Sequence, residues 1–173
     1  IITQESNLGS NVGKCYLTAT SGPQAGYGIN ISTGKTWTNL MKPTRDIAPF
    51  LDITGTLGMD PLKTVVSCPI AGVAGYGGAM GPAQFIPSTW ILYKNKVAAI
   101  TGHNPPNPWN AEDAFVASAL LLKDNGAKSG DRASEHRAAI CYLAGCGSAK
   151  KAAYQFYGND VMALADKYEA QIK

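Results

Sequence analysis

The sequence predicts a mainly α fold, a single domain of packed helices interrupted by two glycine-rich excursions. Three observations lead there. Apolar residues recur at helical spacing over much of residues 46–172. Gly, Pro, Asn and Ser stand where such helices would start and stop. The chain of 173 residues, 45% hydrophobic and 16% charged, is long enough for one core and too short for two comfortable ones. No period of about 20–50 residues repeats, which excludes a solenoid.

Residues 1–6 read as the later part of a helix whose beginning is missing, with Gly9 as a natural terminator just beyond. The domain is taken as 1–173. Residues 10–35 are rich in Gly, Ser, Thr and Asn, so a long loop is expected there, with room for a short β-hairpin. Ile47, Phe50, Leu51 and Thr54 mark a helix over 46–57, with Pro49 in its first turn and Gly58 at its end. Residues 68–81 form the second glycine-rich excursion. A further helix opens at Pro87, Ser88 and Thr89 and runs to Gly102. Asn110 is placed to cap a core helix from Ala111, with Glu112 and Asp113 in its first turn and Ala114, Ala117, Leu121 and Leu122 on its inner side. Asp131 or Ser134 can start the next, which ends at Gly145. Ser148 can cap a run to Tyr157 closed by Gly158, and a last helix then occupies 160–172.

The net charge of +3 and pI of 8.6 suit contact with an anionic polymer but are too weak to argue for nucleic acid. The longest strongly apolar stretch, 114–122, is far shorter than the roughly 20 residues needed to cross a bilayer. Cys15, Cys68, Cys141 and Cys146 allow three pairings, and their even number leans toward an oxidising compartment. Cys141 with Cys146 and Cys15 with Cys68 is the favoured set, because Gly145 and Gly147 should break the helix around Cys146 and let the nearer pair close. Free buried thiols are the competing reading. A zinc site lacks a C-x-x-C pair, and only His103 and His136 are available to assist.

Four segments carry chemistry: Glu5, Ser6 and Gly9 in E-S-x-x-G; Ala79, Met80, Gly81, Gln84, Phe85, Pro87 and Ser88 in A-M-G-x-x-Q-F-x-P-S; Trp109, Asn110, Asp113, Ala114 and Ser118 in W-N-x-x-D-A-x-x-x-S; and Tyr142 to Gly145 as Y-L-A-G. Together, and in this order, they resemble the lysozyme-like lytic transglycosylases of peptidoglycan. The Gln84 segment is very similar to the membrane-bound transglycosylase B branch. The resemblance implies a lysozyme-like fold, Glu5 as the single catalytic acid/base, and a groove in which Ser6, Tyr76, Met80, Gln84, Phe85 and Tyr142 meet the glycan strand. It also implies a 1,6-anhydromuramoyl product, since these enzymes use the substrate's own acetamido group and C6 hydroxyl where other glycosidases use a second carboxylate and water. Peptidoglycan is then the partner and the cell envelope, periplasm or exterior the location, with the protein acting as a monomer.

The physics of the residues is compatible with that role. Protonating a poor leaving oxygen near neutral pH needs a carboxyl that stays neutral, and a glutamate facing a groove among apolar groups such as Met80, Phe85 and Tyr142 has its charged form disfavoured. Each residue also has a plainer reading. Glu5 can be a surface carboxylate on a frayed helix, Ser6 a hydroxyl bonded back to its own helix, Gln84 an amide bracing its loop, and Tyr142 ordinary core packing. Asp46, Asp52 and Asp60, the nearest candidates for a second carboxylate, are expected to be caps or surface charges. Two departures stand out. Residues 102–108, G-H-N-P-P-N-P, lack the alternating carboxylates of the calcium loop common in the transglycosylase B branch, so neither metal nor cofactor is expected. Leu143 also replaces the asparagine of the related Y-N-A-G element. A hydrolytic muramidase on the same fold and a non-catalytic wall-binding module are the alternative functions.

Overall fold

A computed structural model describes residues 1–72 and 75–172. Residues 73 and 74, inside the expected excursion 68–81, lie outside the described residues. The fold is mainly α. Among the described residues there are six α-helices, α1 (Ile2–Ser6), α2 (Ala48–Thr56), α3 (Pro87–Thr101), α4 (Ala111–Asp124), α5 (Arg132–Ala144) and α6 (Gln155–Ile172). A small antiparallel sheet near the N-terminus is formed by β1 (Cys15–Leu17), β2 (Gly28–Asn30) and β3 (Thr36–Trp37), in that order. None of the helices is long and apolar enough to cross a membrane.

The helix boundaries follow the chemistry of their ends. Pro87 stands at the start of α3, where its missing N–H is no loss, and Gly102 closes the helix in the left-handed region at φ 77°. Asn110 caps α4, its side-chain oxygen accepting the backbone N–H groups of Glu112 at 2.9 Å and Asp113 at 3.2 Å. Asp131 does the same for α5 through Ser134 N. A π-turn, Pro43–Ile47, leads into α2.

Two expectations for the local structure need correction. The stretch 10–35 carries more than a hairpin, for it supplies two strands of a three-stranded sheet whose third strand lies just beyond it. The C-terminal part is one helix, not a run closed by Gly158 and a separate helix from 160. Gly158 sits inside α6, buried, where a β-carbon would lie 2.6 Å from Nε2 of His136 on α5. The glycine therefore serves close packing of α5 on α6, and the helix continues through it. Ser148, expected as a cap, belongs to a 3₁₀ turn, Cys146–Ser148.

The main core gathers most elements around the site, while Tyr157 of α6 packs in a second, smaller cluster with Ala139 and Val161. Phe85 is the centre of the main core, meeting Trp90, Tyr93 and Tyr142 edge-to-face at centroid distances of 5.9, 6.1 and 5.8 Å. Leu40, Met41, Phe50, Val66, Met80, Val97, Ala114 and Ala117 pack around them, fully buried. The Trp109 segment is structural: the indole N–H donates to Val65 O at 3.1 Å, and buried Asp113 accepts from Asn107 N at 2.8 Å and contacts His103 Nδ1 at 2.9 Å. Three roles of one short motif, anchoring, capping and loop-holding, thus fix residues 103–113 against the core.

Two disulfides, Cys15–Cys68 and Cys141–Cys146, make the favoured pairing. The first ties β1 to the second glycine-rich excursion across 53 residues, and the second closes the turn after α5 across 5. Loop-closure entropy then sets their weights. Replacing both cysteines of the first pair by Ala should lower the unfolding free energy by about 4 kcal/mol, and of the second by about 2 kcal/mol. Equal shifts in urea-unfolding midpoints would contradict that ranking.

Candidate active site

The sharpest local feature is the turn between Met80 and Phe85. Its ends pair through Met80 N to Phe85 O at 2.9 Å and Phe85 N to Met80 O at 3.2 Å. Between them Gly81 adopts φ 63°, and a β-carbon there would lie 1.9 Å from the carbonyl oxygen of Pro108, so only glycine lets this turn rest on the 103–113 loop. Gln84 also has positive φ, 53°, which a bulky residue rarely accepts.

Helix α1 docks on this turn. Buried Ser6 donates to Pro82 O at 2.6 Å and lies 3.1 Å from Ile2 O, while its oxygen accepts Gly9 N at 2.9 Å. The Ser6 hydroxyl therefore closes the helix end and joins it to the turn. It is 2% exposed and does not line the cavity beside Glu5. Asn7, Leu8 and Gly9 then turn through positive φ and carry the chain out of the helix.

Glu5, one residue earlier, lies at the rim of a cavity of about 450 Å³ lined by Glu5, Ser10, Asn11, Gly13, Lys14, Asn30, Ser67, Cys68 and Gln84. Burial raises its pKa above the ordinary glutamate value. A hydrogen bond from the Tyr157 hydroxyl to Glu5 Oε1 acts in the opposite sense. Tyr157 itself, buried on α6, has its pKa raised by burial and by the charge of Glu5, so it remains a hydroxyl and a donor. Among the described residues Glu5 is the only carboxyl lining this cavity.

The remaining candidates divide by position. Gln84 lines the cavity, and its Nε2 donates to Gly81 O at 2.8 Å, bracing the turn. Among the described residues its Oε1, the atom that can accept a hydrogen bond, has no partner. Met80 and Phe85 are core residues, 0% and 3% exposed, and support the cavity from beneath without lining it. Tyr142, expected to offer its hydroxyl to Glu5 or a sugar, instead donates to Ala83 O at 2.7 Å and lies 3.2 Å from Ser118 Oγ. The same charge on Glu5 raises the Tyr142 pKa further, after burial, so the two groups are near neighbours without bonding. Tyr76 is 48% exposed and does not line the cavity. The cavity is thus lined mainly by amide, hydroxyl, ammonium and carboxyl side chains, and Met80, Phe85 and Tyr142, expected on its walls, are not among them.

Tyr157 is the residue that sequence reasoning missed. Asp46, Asp52 and Asp60 lie elsewhere: Asp46 is buried against Arg45 and Ser88 N, Asp52 pairs with Lys94 at 2.7 Å, and Asp60 caps Leu62 N at 2.9 Å and pairs with Lys63. A larger hollow of about 890 Å³ lies between α1 and helices α4, α5 and α6. Its wall is mostly hydrocarbon, including Leu8, Phe115, Leu122 and Ile172, and the carboxylate of Glu135 on its edge is held by Arg132 at 3.2 Å. The smaller polar cavity is the one that brings a desolvated acid and free polar atoms together.

No protein-family model, curated protein or solved structure matches the chain.

The Tyr157 contact has a measurable sign. Because the hydroxyl stabilises the Glu5 carboxylate, Tyr157→Phe should move the Glu5 pKa further up, as read from the side-chain carboxyl ¹³C shift across a pH titration. An unchanged or lowered value would show that the hydroxyl does not act on this carboxyl.

Proposed function

We propose that the chain is the catalytic domain of a peptidoglycan lytic transglycosylase with a lysozyme-like fold, cleaving the β-1,4 bond after N-acetylmuramic acid with Glu5 as sole acid/base. The observation that carries this reading is a single desolvated carboxyl at the rim of a polar cleft, with no second carboxyl beside it among the described residues. One group must then serve both half-reactions. Protonated Glu5 donates to the bridging oxygen as positive charge builds on the sugar ring. The substrate's acetamido group supports that charge, standing in for a nucleophile the cleft lacks. The resulting Glu5 carboxylate removes the proton of the C6 hydroxyl as its oxygen closes on C1, giving a 1,6-anhydromuramoyl end.

The other residues have roles consistent with this cycle. Tyr157 holds the carboxyl in orientation and stabilises its ionised form between the two steps. Gln84 presents Oε1 to a sugar hydroxyl or acetamido N–H while its Nε2 keeps the turn closed. The four motifs in family order support the same assignment. Two disulfides fit an oxidising location, which peptidoglycan's extracytoplasmic position supplies.

Raising a carboxyl's pKa favours its protonated form up to higher pH, so the first step slows as pH rises through the shifted value. The alkaline limb of the rate profile should therefore lie above that of an ordinary glutamate. Glu5→Gln should reduce lysis of purified sacculi by at least about a hundredfold while leaving the protein folded, since general acid–base catalysis is worth that much or more. Mass spectrometry of the soluble products distinguishes the alternatives. Anhydro ends are lighter by one water than the reducing ends of hydrolysis, so reducing ends would replace this reading with a muramidase. Full lysis by Glu5→Gln, or none by the unmodified protein, would remove Glu5 catalysis altogether.

A further inference from the structure

One cation faces the cleft. Among the described residues Lys14 is the only formally charged basic side chain that lines it, and Glu5, its one carboxyl, is biased toward the neutral form by burial. Lys63, Lys94 and Lys96 pair with Asp60, Asp52 and Asp124; Lys14, like most lysines among the described residues, has no such ion pair, and its place on the cavity wall is what sets it apart. Its backbone is held on every side. Gly13, at φ 114°, packs so closely that a β-carbon would lie 2.2 Å from Val66 O. Cys15 pairs in both directions with Val66, at 3.1 and 2.9 Å, and is bonded to Cys68, while Lys14 O accepts Ile31 N at 3.3 Å. The fixed backbone thus places an exposed lysine on the wall of the polar cavity, within reach of an anionic group bound there.

Resting on the transglycosylase reading, we propose that Lys14 is a specificity residue that selects carboxylate-bearing glycan over neutral glycan by pairing its ammonium with a carboxylate on the muramic acid side of the strand. Two sources offer that group. A peptide-free strand bears a lactyl carboxylate on each muramic acid, and a stem-bearing strand bears peptide carboxylates instead. A neutral N-acetylglucosamine polymer has neither, so it gains nothing from Lys14.

Binding to the turnover-deficient Glu5→Gln protein tests this by calorimetry with three probes: chitohexaose, a peptide-free muramic acid–glucosamine hexasaccharide, and the same hexasaccharide carrying peptide stems. Adding Lys14→Met should weaken binding of at least one carboxylate-bearing probe by about three- to fivefold, the range of a solvent-screened ion pair, with chitohexaose changed less than twofold. Lys14→Arg should restore most of the loss, and about 0.3 M salt should erase the difference. Loss confined to the peptide-free probe identifies the lactyl group, and loss confined to the stem-bearing probe identifies the peptide. Equal weakening of all three probes, no weakening, or no binding of any probe overturns the proposal. Sacculus lysis by the unmodified protein is judged separately: anhydro product alongside an indifferent Lys14→Met sinks only the role of Lys14, whereas absence of lysis sinks the catalytic reading beneath it.

Discussion

A desolvated carboxyl at the end of a helix has to be held in place by what packs around it. Burying an ionisable group opposes folding whenever that group is charged. Everything around Glu5 answers this constraint. Ile2 is buried among core residues, Ser6 bonds the turn at Pro82, Thr3 meets the Tyr168 hydroxyl, and Tyr157 meets Glu5 itself. The helix thus borrows its stability from α6 on one side and the 80–85 turn on the other. That turn depends in turn on Gly81 resting against Pro108 and on Phe85 filling the aromatic core. Elements far apart in the chain therefore converge on one side chain.

Much of the helical scaffold was legible because helix ends carry explicit chemical signals. Pro87, Gly102, Asn110 and Asp131 each supply or remove one backbone hydrogen bond at a defined place, and the structure uses all four as expected. The sheet was not legible. Strands of two or three residues are too short for an alternating pattern to rise above chance, and β1 is also held by Cys15 pairing with Val66, a contact far off in sequence. Gly158 misled for a related reason: a glycine that ends a helix and a glycine that lets two helices touch look identical until the partner, His136, is known.

The same difference explains what could be read of the site. Glu5 and Gln84 stand in short ordered motifs, so their approach to one cavity was anticipated. Ser6 and Tyr142 were singled out for the same reason, yet both spend their hydroxyls on backbone carbonyls of the 82–83 turn, at Pro82 and Ala83. Their motif positions mark support of the turn. Tyr157 had no such marker. It lies 152 residues from Glu5, and an aromatic followed four residues later by Val161 on a helix reads as packing, which it also does. Taking Gly158 as a helix end placed Tyr157 at a terminus and hid the face of α6 that it shares with Val161.

On the proposed reading the cleft has to meet two opposed electrostatic demands. A general acid that stays protonated needs low polarity around it, while a polysaccharide needs hydrogen-bonding groups and water-like walls. Met80 and Phe85 are buried in the core with Tyr142 packed against it, and Ser10, Asn11, Asn30, Ser67 and Gln84 line the cavity. Glu5 lines the same cavity and is desolvated by burial. Its single strong partner is a hydroxyl, not a cation, and that choice is decisive: a buried guanidinium or ammonium bonded to the carboxyl would stabilise the charged form far more and abolish the acid. A tyrosine orients the group and leaves its proton available, so the identity of residue 157 is as much a part of the chemistry the cleft can perform as the glutamate it holds.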